Sequence, residues 1–245
     1  MAIKTIFLDA GGTLIKVKGT VGEVYATTAK RHGFTINPRN INGAFRKAFE
    51  NAPPLAFPGT PENQLIEKEK AWWMNVVQDA FSDIGIDKTS ERFPALFQDL
   101  FQAFEGSDEW ELYPEVIEVL EELQKREFPL GIISNFDSRL TLICEDLKIS
   151  NFFSSITISS REGAAKPNSN IFHQALAKHN IKPHEAIHVG DSWCDDIEGA
   201  TKVGLHAVHL DREKKTDDYS NHCIIPTLRE LLSHPAVLSY PTSES

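Results

Sequence analysis

The sequence predicts an α/β fold: a mostly parallel sheet with helices on both faces, and a helical cap domain inserted after the first strand. Three observations carry that prediction. A short apolar run, Ile3 to Leu8, opens the chain and ends on Asp9. From Tyr113 onward, short apolar runs alternate with amphipathic helical stretches, the signature of βαβ units. Between the two, residues 16–109 show only helical periodicity.

Each element follows from local pattern. Val21, Val24, Tyr25 and Thr28 form one helical stripe, and Gly33 can end it. Ile41 to Glu50 is a second helix, followed by a loop holding Pro53, Pro54, Pro58 and Pro61. Thr60 offers an N-cap with Pro61 at the first helical position of a third helix, which carries Leu65, Trp72, Trp73, Val76 and Ala80. Phe93, Leu96, Phe97, Leu100, Phe101 and Phe104 make the cleanest buried face, at i, i+3, i+4, i+7 and i+8. Val116 to Leu123 then reads as a helix, Phe128 to Ser134 as a strand, and Leu140 to Leu147 as a helix. Phe153 to Ile158 is β-like. A helix through Phe172 and Leu176 is capped near Asn168 or Ser169. Ala186 to Gly190 and His206 to Leu210 are strands flanking a helix over Asp196 to Thr201. Thr227 to Glu230 is a capping box before a last helix.

Composition narrows the partners. The 245-residue chain carries a formal net charge of -10. That balance argues against nucleic acid and against an anionic membrane, both of which need a basic surface. It leaves room for a small phosphorylated molecule held by a few local cations. Three scattered cysteines, Cys144, Cys194 and Cys223, form no CxxC pair and fit a reducing, cytoplasmic setting. The opening apolar run is too short and too charged for a signal peptide or a membrane span. Oligomeric state is left open.

Four segments carry chemistry. Asp9-Ala10-Gly11-Gly12-Thr13 places a carboxylate at a strand end, where open α/β sheets bind ligands. An ionised Asp there can act as a nucleophile, and it can equally close a strand and cap a helix. Ser134-Asn135 puts a hydroxyl at a second strand end, in a pair that also suits a plain turn. Lys166-Pro167-Asn168 sets an ammonium group beside a helix start, a place that also suits a solvated lysine. Asp191, Asp195 and Asp196 follow a fourth strand. Asp191 beside Asp9 would make an acidic pair able to hold a hard cation; carboxylates at a helix start also serve as dipole partners.

In order and spacing these segments resemble the motifs of the haloacid dehalogenase (HAD) superfamily across almost the whole chain. The resemblance implies a Rossmann-like core over residues 1–15 and 110–235, a helical cap over 16–109 and a flexible tail over 236–245. It implies Asp9, Ser134 and Lys166 as catalytic residues, with Thr13, Ser134, Asn135 and Lys166 binding substrate. It further implies Mg²⁺ held by Asp9, the Gly11 carbonyl and Asp191, supported by Asp195 and Asp196. The expected activity is that of a phosphatase working through an aspartyl-phosphate at Asp9.

The pattern departs from the superfamily at one position. Its phosphatases carry an acid/base Asp two residues after the nucleophile, where this chain has Gly11. Such catalysis is typically worth roughly 10²–10⁴-fold. Two other readings therefore stand beside the phosphatase: a binding or regulatory protein with little turnover, and an L-2-haloacid dehalogenase, whose first motif also lacks this Asp. Asp191, and Phe172 where dehalogenases use Tyr, count against the dehalogenase. Trp72 and Trp73 either floor a substrate pocket or fill the cap core.

Overall fold

The computed structural model describes residues 3–213 and 223–238. β1 (Thr5–Leu8) is buried at every residue and runs to Asp9. β2 (Ile15–Val17) leaves toward the cap. The cap helices are α1 (Val21–Arg31), α2 (Pro38–Asn51), α3 (Glu62–Asp83) and α4 (Phe93–Ala103). β3 (Trp110–Leu112) returns antiparallel to β2, pairing Ile15 with Leu112 and Val17 with Trp110. Three-residue strands carry too little alternation to register in sequence, and this ribbon was not among the expected elements.

The chain continues through α5 (Val116–Lys125), β4 (Leu130–Ser134), α6 (Arg139–Asp146), β5 (Ser155–Ile158) and α7 (Ser159–Glu162). It then forms α8 (Ser169–His179), β6 (Ala186–Gly190), α9 (Gly199–Val203), β7 (His206–Leu210), β8 (Cys223–Ile225) and α10 (Pro235–Leu238). Six strands form one parallel sheet in the order β5-β4-β1-β6-β7-β8. The chain builds outward from β1 on one side, then returns to start β6 on the other. That reversal opens a crevice at the carboxyl ends of β1, β4 and β6. One apolar core fills one side of the sheet, with Ile6, Leu8, Ile132 and Val189 beneath α5 and α6. Phe7, Ile133, Phe172 and Ala200 pack on the other side. The cap has its own core around Tyr25, Ile41, Phe81, Phe93 and Leu96.

Several boundaries differ from the expectation, each for a local reason. α2 begins at Pro38, because Asn37 Oδ1 accepts from Arg39 N at 2.9 Å and a first-turn Pro lacks only an unneeded donor. Pro61 is extended, at φ −60° and ψ 145°, so α3 starts at Glu62 and Thr60 does not cap it. The helix expected over Asp196–Thr201 is a wide π-type turn over Trp193–Glu198 followed by α9. Thr227 accepts from Arg229 N, but the segment it opens, Leu228–Ser233, is a 3₁₀ turn rather than an α-helix. Val237 is buried in the core, which ties the chain down through α10; residues 239–245 of the expected tail lie outside the described residues.

Candidate active site

The crevice gathers residues from three strand ends and one loop. Asp9 follows β1, and its backbone N–H donates to Val189 O of β6 at 2.9 Å, which fixes it at the carboxyl end of the sheet. Asp9 is buried, with 6% of the residue exposed. Lys166, on the loop before α8, donates from Nζ to Asp9 Oδ1 and to Asp196 Oδ1, both at 2.6 Å. Behind Asp196 stand His188 Nε2 at 2.8 Å and the donating Ser192 N–H at 3.0 Å. The wide turn makes that last bond possible: Ile197 N donates five residues back to Ser192 O, and the extra width folds the Asp196 side chain over the strand end. Gly190 leaves room for it. A Cβ there would lie 2.1 Å from the Asp196 carboxyl carbon.

Electrostatics divide the carboxylates into two kinds. Burial opposes ionisation of Asp196, yet Lys166 and His188 overcome it and hold the carboxyl well below the usual range. Asp9 moves the other way: burial raises it, only partly offset by Lys166 and Ser134. Burial, then Asp9 and Asp196, push Asp191 up to about 7. Among the described residues no side chain bonds the Asp191 carboxylate; His209 Nε2 lies 3.1 Å from its backbone oxygen. Asp195 is likewise raised, first by burial. Lys166 is raised despite burial, because Asp196 and Asp9 both favour its charge.

Oxygens of Asp9, Asp191 and Asp196 lie within 4.8 Å of one another. Three carboxylates face one ammonium, and two of them are raised. This donor set fits a hard divalent cation, which would relieve that repulsion. Asp196 is already engaged by Lys166, His188 and Ser192, so Asp191 and Asp9 are the available oxygens. Gly12 closes the other side: its φ of +79° suits glycine, and a Cβ there would lie 2.3 Å from Asp191 Oδ2.

The expected site residues fall into place unevenly. Asp9, Gly11, Ser134, Asn135, Lys166, Asp191, Asp195 and Asp196 all line one cavity of about 770 Å³. Thr13 does not. Its side chain is fully buried and its hydroxyl has no partner, so it is turned into the loop rather than toward a substrate. Asn135 spends its amide on the Lys166 backbone, accepting from its N–H at 2.7 Å and donating to its C=O at 2.9 Å. It sets the Lys166 loop and is poorly placed to bind substrate as well. Phe172 is fully buried under β6, with its ring edge-on to His188, and presents nothing to the cavity. Trp72 and Trp73 line the cavity and also pack in the cap.

Other contributors were invisible in sequence. Arg212 donates from Nε to Gly12 O and from Nη2 to Thr13 O, with Glu115 on its third nitrogen, and so clamps the Asp9 loop. Trp73 Nε1 donates to Asp137, which also pairs with Arg139. Glu69 Oε1 of the cap accepts from Ser138 N, Ser138 Oγ and Ser160 Oγ of the core at 3.0, 2.8 and 2.6 Å. Apart from the local Asp137–Arg139 pair, these contacts span 64 to 200 residues of sequence, and no local motif announces them.

Residues 3–204 match the family described as haloacid dehalogenase-like hydrolase. This chain belongs to that family. A Xenopus laevis relative, haloacid dehalogenase-like hydrolase domain-containing protein 3, is 32% identical over 207 residues, 84% of each chain. Among solved structures, a HAD phosphatase from Thermococcus onnurineus superposes with a TM-score of 0.65 at 21% identity, covering 98% of this chain and 100% of that one. An L-2-haloacid dehalogenase from Xanthobacter autotrophicus, with chloropropionic acid covalently bound, gives 0.71 at 16% identity, covering 95% and 99%. At these identities the structures share the fold of this HAD hydrolase and do not choose between the two chemistries. No helix among the described residues is long and apolar enough to cross a membrane.

Proposed function

We propose that this HAD hydrolase is a Mg²⁺-dependent cytoplasmic phosphatase acting on a small phosphorylated molecule. The observation that carries the reading is the buried Asp9–Lys166–Asp196 triad facing a raised Asp191, whose carboxylate has no side-chain partner among the described residues, in the same cavity. Mg²⁺ would be held by Asp9, the Gly11 carbonyl and Asp191, and would offset negative charge on the phosphoryl oxygens. Lys166 favours the ionised form of Asp9 and presents positive charge beside it. One Asp9 oxygen attacks phosphorus, the bond from phosphorus to the leaving oxygen breaks, and its electron pair departs on that oxygen. Ser134, 2% exposed at the end of β4, donates to the transferring group. Water then attacks phosphorus, the bond to Asp9 breaks, and inorganic phosphate leaves. Gly11 supplies no proton to the leaving oxygen, which restricts efficient turnover to groups that leave as stable anions.

Gly11 also favours a second reading, a protein that binds the same anion with little turnover. Hydrolysis of para-nitrophenyl phosphate and acetyl phosphate, with and without Mg²⁺, separates the two. We expect Mg²⁺-dependent release that Asp9→Asn abolishes while the melting temperature is kept. Release that survives Asp9→Asn would show the nucleophile to be wrongly assigned. No release from either compound in folded protein would favour the binding module, with metal-free 2-chloropropionate turnover the remaining alternative.

A further inference from the structure

The cavity is chemically two-faced. Its floor is the charged crevice of the core; its walls are aromatic. Phe45, Phe49, Trp72, Trp73, Phe97 and Phe101 line it from the cap. The rings are ordered against one another. Phe49 stacks on Trp73 at 5.9 Å and 27°, and on Phe45 at 5.8 Å and 28°, while Trp72 stands edge-on to Trp73 at 4.9 Å. Rings at such spacings accept a further flat ring readily.

The wall is also poor in polar groups. Among the described residues the cap contributes one charged side chain to the cavity, Glu50, and it is negative. Both tryptophan N–H groups are engaged, Trp72 with Pro53 O at 2.8 Å and Trp73 with Asp137. Arg139, on the core side, is held by Asp137, with its Cζ 4.2 Å from the Phe101 ring centre and 5.0 Å from that of Trp73. No cation is left for a second phosphate or a carboxylate at the cap end. A sugar would bring several hydroxyls to a wall that cannot pair them, and each buried unpaired hydroxyl opposes binding. One polar atom remains: the Tyr25 hydroxyl, which makes no hydrogen bond among the described residues. Tyr25 is 97% buried, and burial pushes its phenol above the usual range, so it stays a donor.

We propose that the substrate is the phosphate ester of a planar aromatic alcohol, with the ring seated among Phe49, Trp72, Trp73 and Phe101 and the phosphoryl group at Asp9. This rests on the phosphatase reading above. Two independent features meet in it. The wall selects a flat apolar leaving group, and Gly11 requires one that departs without a proton. An aryl oxygen satisfies both: the P–O bond breaks, the pair stays on the ring oxygen as a phenolate, and solvent protonates it after release.

The test compares 1-naphthyl phosphate with acetyl phosphate, whose leaving group is better but not aromatic, and with glucose 6-phosphate. The full-length protein is assayed with Mg²⁺. Binding of each compound to Asp9→Asn is read separately by tryptophan fluorescence. We expect kcat/KM for 1-naphthyl phosphate to exceed that for acetyl phosphate by roughly tenfold, and binding to Asp9→Asn to follow the same order. Phe49→Ala, at a ring that is 42% exposed and safe to truncate, should lower the naphthyl-to-acetyl ratio roughly three- to tenfold. Asp9-dependent hydrolysis of acetyl phosphate with no naphthyl preference in binding or turnover would overturn this proposal and leave the phosphatase standing. Tight naphthyl binding with no hydrolysis of any ester would support the aromatic site and sink the phosphatase. Absence of both overturns the two together.

Discussion

Gly11→Asp should convert a leaving-group-selective enzyme into a general one. A Cβ built on Gly11 meets nothing within 4 Å, and its backbone is outside the left-handed region. A side chain therefore fits without displacing the Asp9 loop, and the melting temperature should hold. Asp9 and Asp191 sit in the same crevice, and their charge would raise the new carboxyl above its ordinary range. A raised carboxyl stays protonated until the leaving oxygen needs its proton. General acid catalysis of this kind is worth roughly 10²–10⁴-fold. The gain should fall where the leaving oxygen is most basic.

The assay is kcat/KM across a series from para-nitrophenyl phosphate to an alkyl phosphate. In the wild type the rate should fall steeply as the leaving group becomes more basic. In Gly11→Asp the alkyl ester should gain roughly 10²–10⁴-fold and para-nitrophenyl phosphate little, which flattens the slope. Gly12→Asp is the matched control. Its Cβ would lie 2.3 Å from Asp191 Oδ2 at a φ of +79°, so it should cost stability and activity together. A gain of equal size on every ester, or none in a protein with unchanged melting temperature, would refute the claim that only the acid is missing.

Lys166→Met leaves Asp9 and Asp196 buried without their shared cation. The expected loss is about 3–5 kcal/mol at pH 7, a fall in melting temperature of roughly 6–20 °C at about 2–4 °C per kcal/mol. Asp196 is held below its unfolded value in the wild type, so its stabilisation is present above that value and lost as pH falls through the folded one. The deficit of the variant should thus shrink as pH falls below about 4, and a deficit that stays constant down to pH 2 would contradict the charge argument. Asp191, pushed up to about 7, must lose its proton to bind a cation. Calorimetric Mg²⁺ affinity should fall about tenfold per pH unit below that value and level off above it; a flat profile would remove Asp191 from the ligand set. Glu69 uses one oxygen for all three of its core contacts, so Glu69→Gln should be tolerated. Glu69→Ala should cost about 1–3 kcal/mol and speed hydrogen exchange in α3, and equal exchange in both variants would count against the latch.

What could be read from sequence was whatever burial writes locally. β6 and β7 were legible over their full lengths because most of their buried positions are apolar, with His188 and His209 the buried exceptions. Asp9, Ser134, Lys166 and Asp191 were legible because each lies just beyond such a run or just before a helix start. β2, β3 and β8 were not, since three residues cannot show a period. The stripe of α4 shows a deeper limit. Phe93 and Leu96 fill the cap core as expected, but Phe97, Leu100 and Phe101 line the cavity as well. Periodicity reports that a face avoids water; it does not say whether protein or substrate covers it. Arg212, Glu69 and Asp137 act through partners far along the chain, and a lone charge carries no mark of its partner.

The loop after β4 explains how the two halves of the cavity are kept in register. Ser134 stands at its start, on the phosphoryl side, and Asp137 and Arg139 follow within five residues. Asp137 is fully buried, receives the Arg139 guanidinium at 2.9 and 2.7 Å, and takes the Trp73 N–H from α3. Arg139 also donates to Phe101 O of α4 at 3.3 Å. A buried ion pair seldom stabilises more than apolar packing would, so its value here lies in geometry. It ties one aromatic ring from each of two cap helices to the strand that ends at the site. Arg139 is thus the cation that holds the rings rather than one that meets substrate, and the distance between ring pocket and Asp9 is set by the core instead of by the cap alone. A substrate that spans the two must match that fixed spacing, which favours a rigid flat group directly attached to phosphate over a long flexible one.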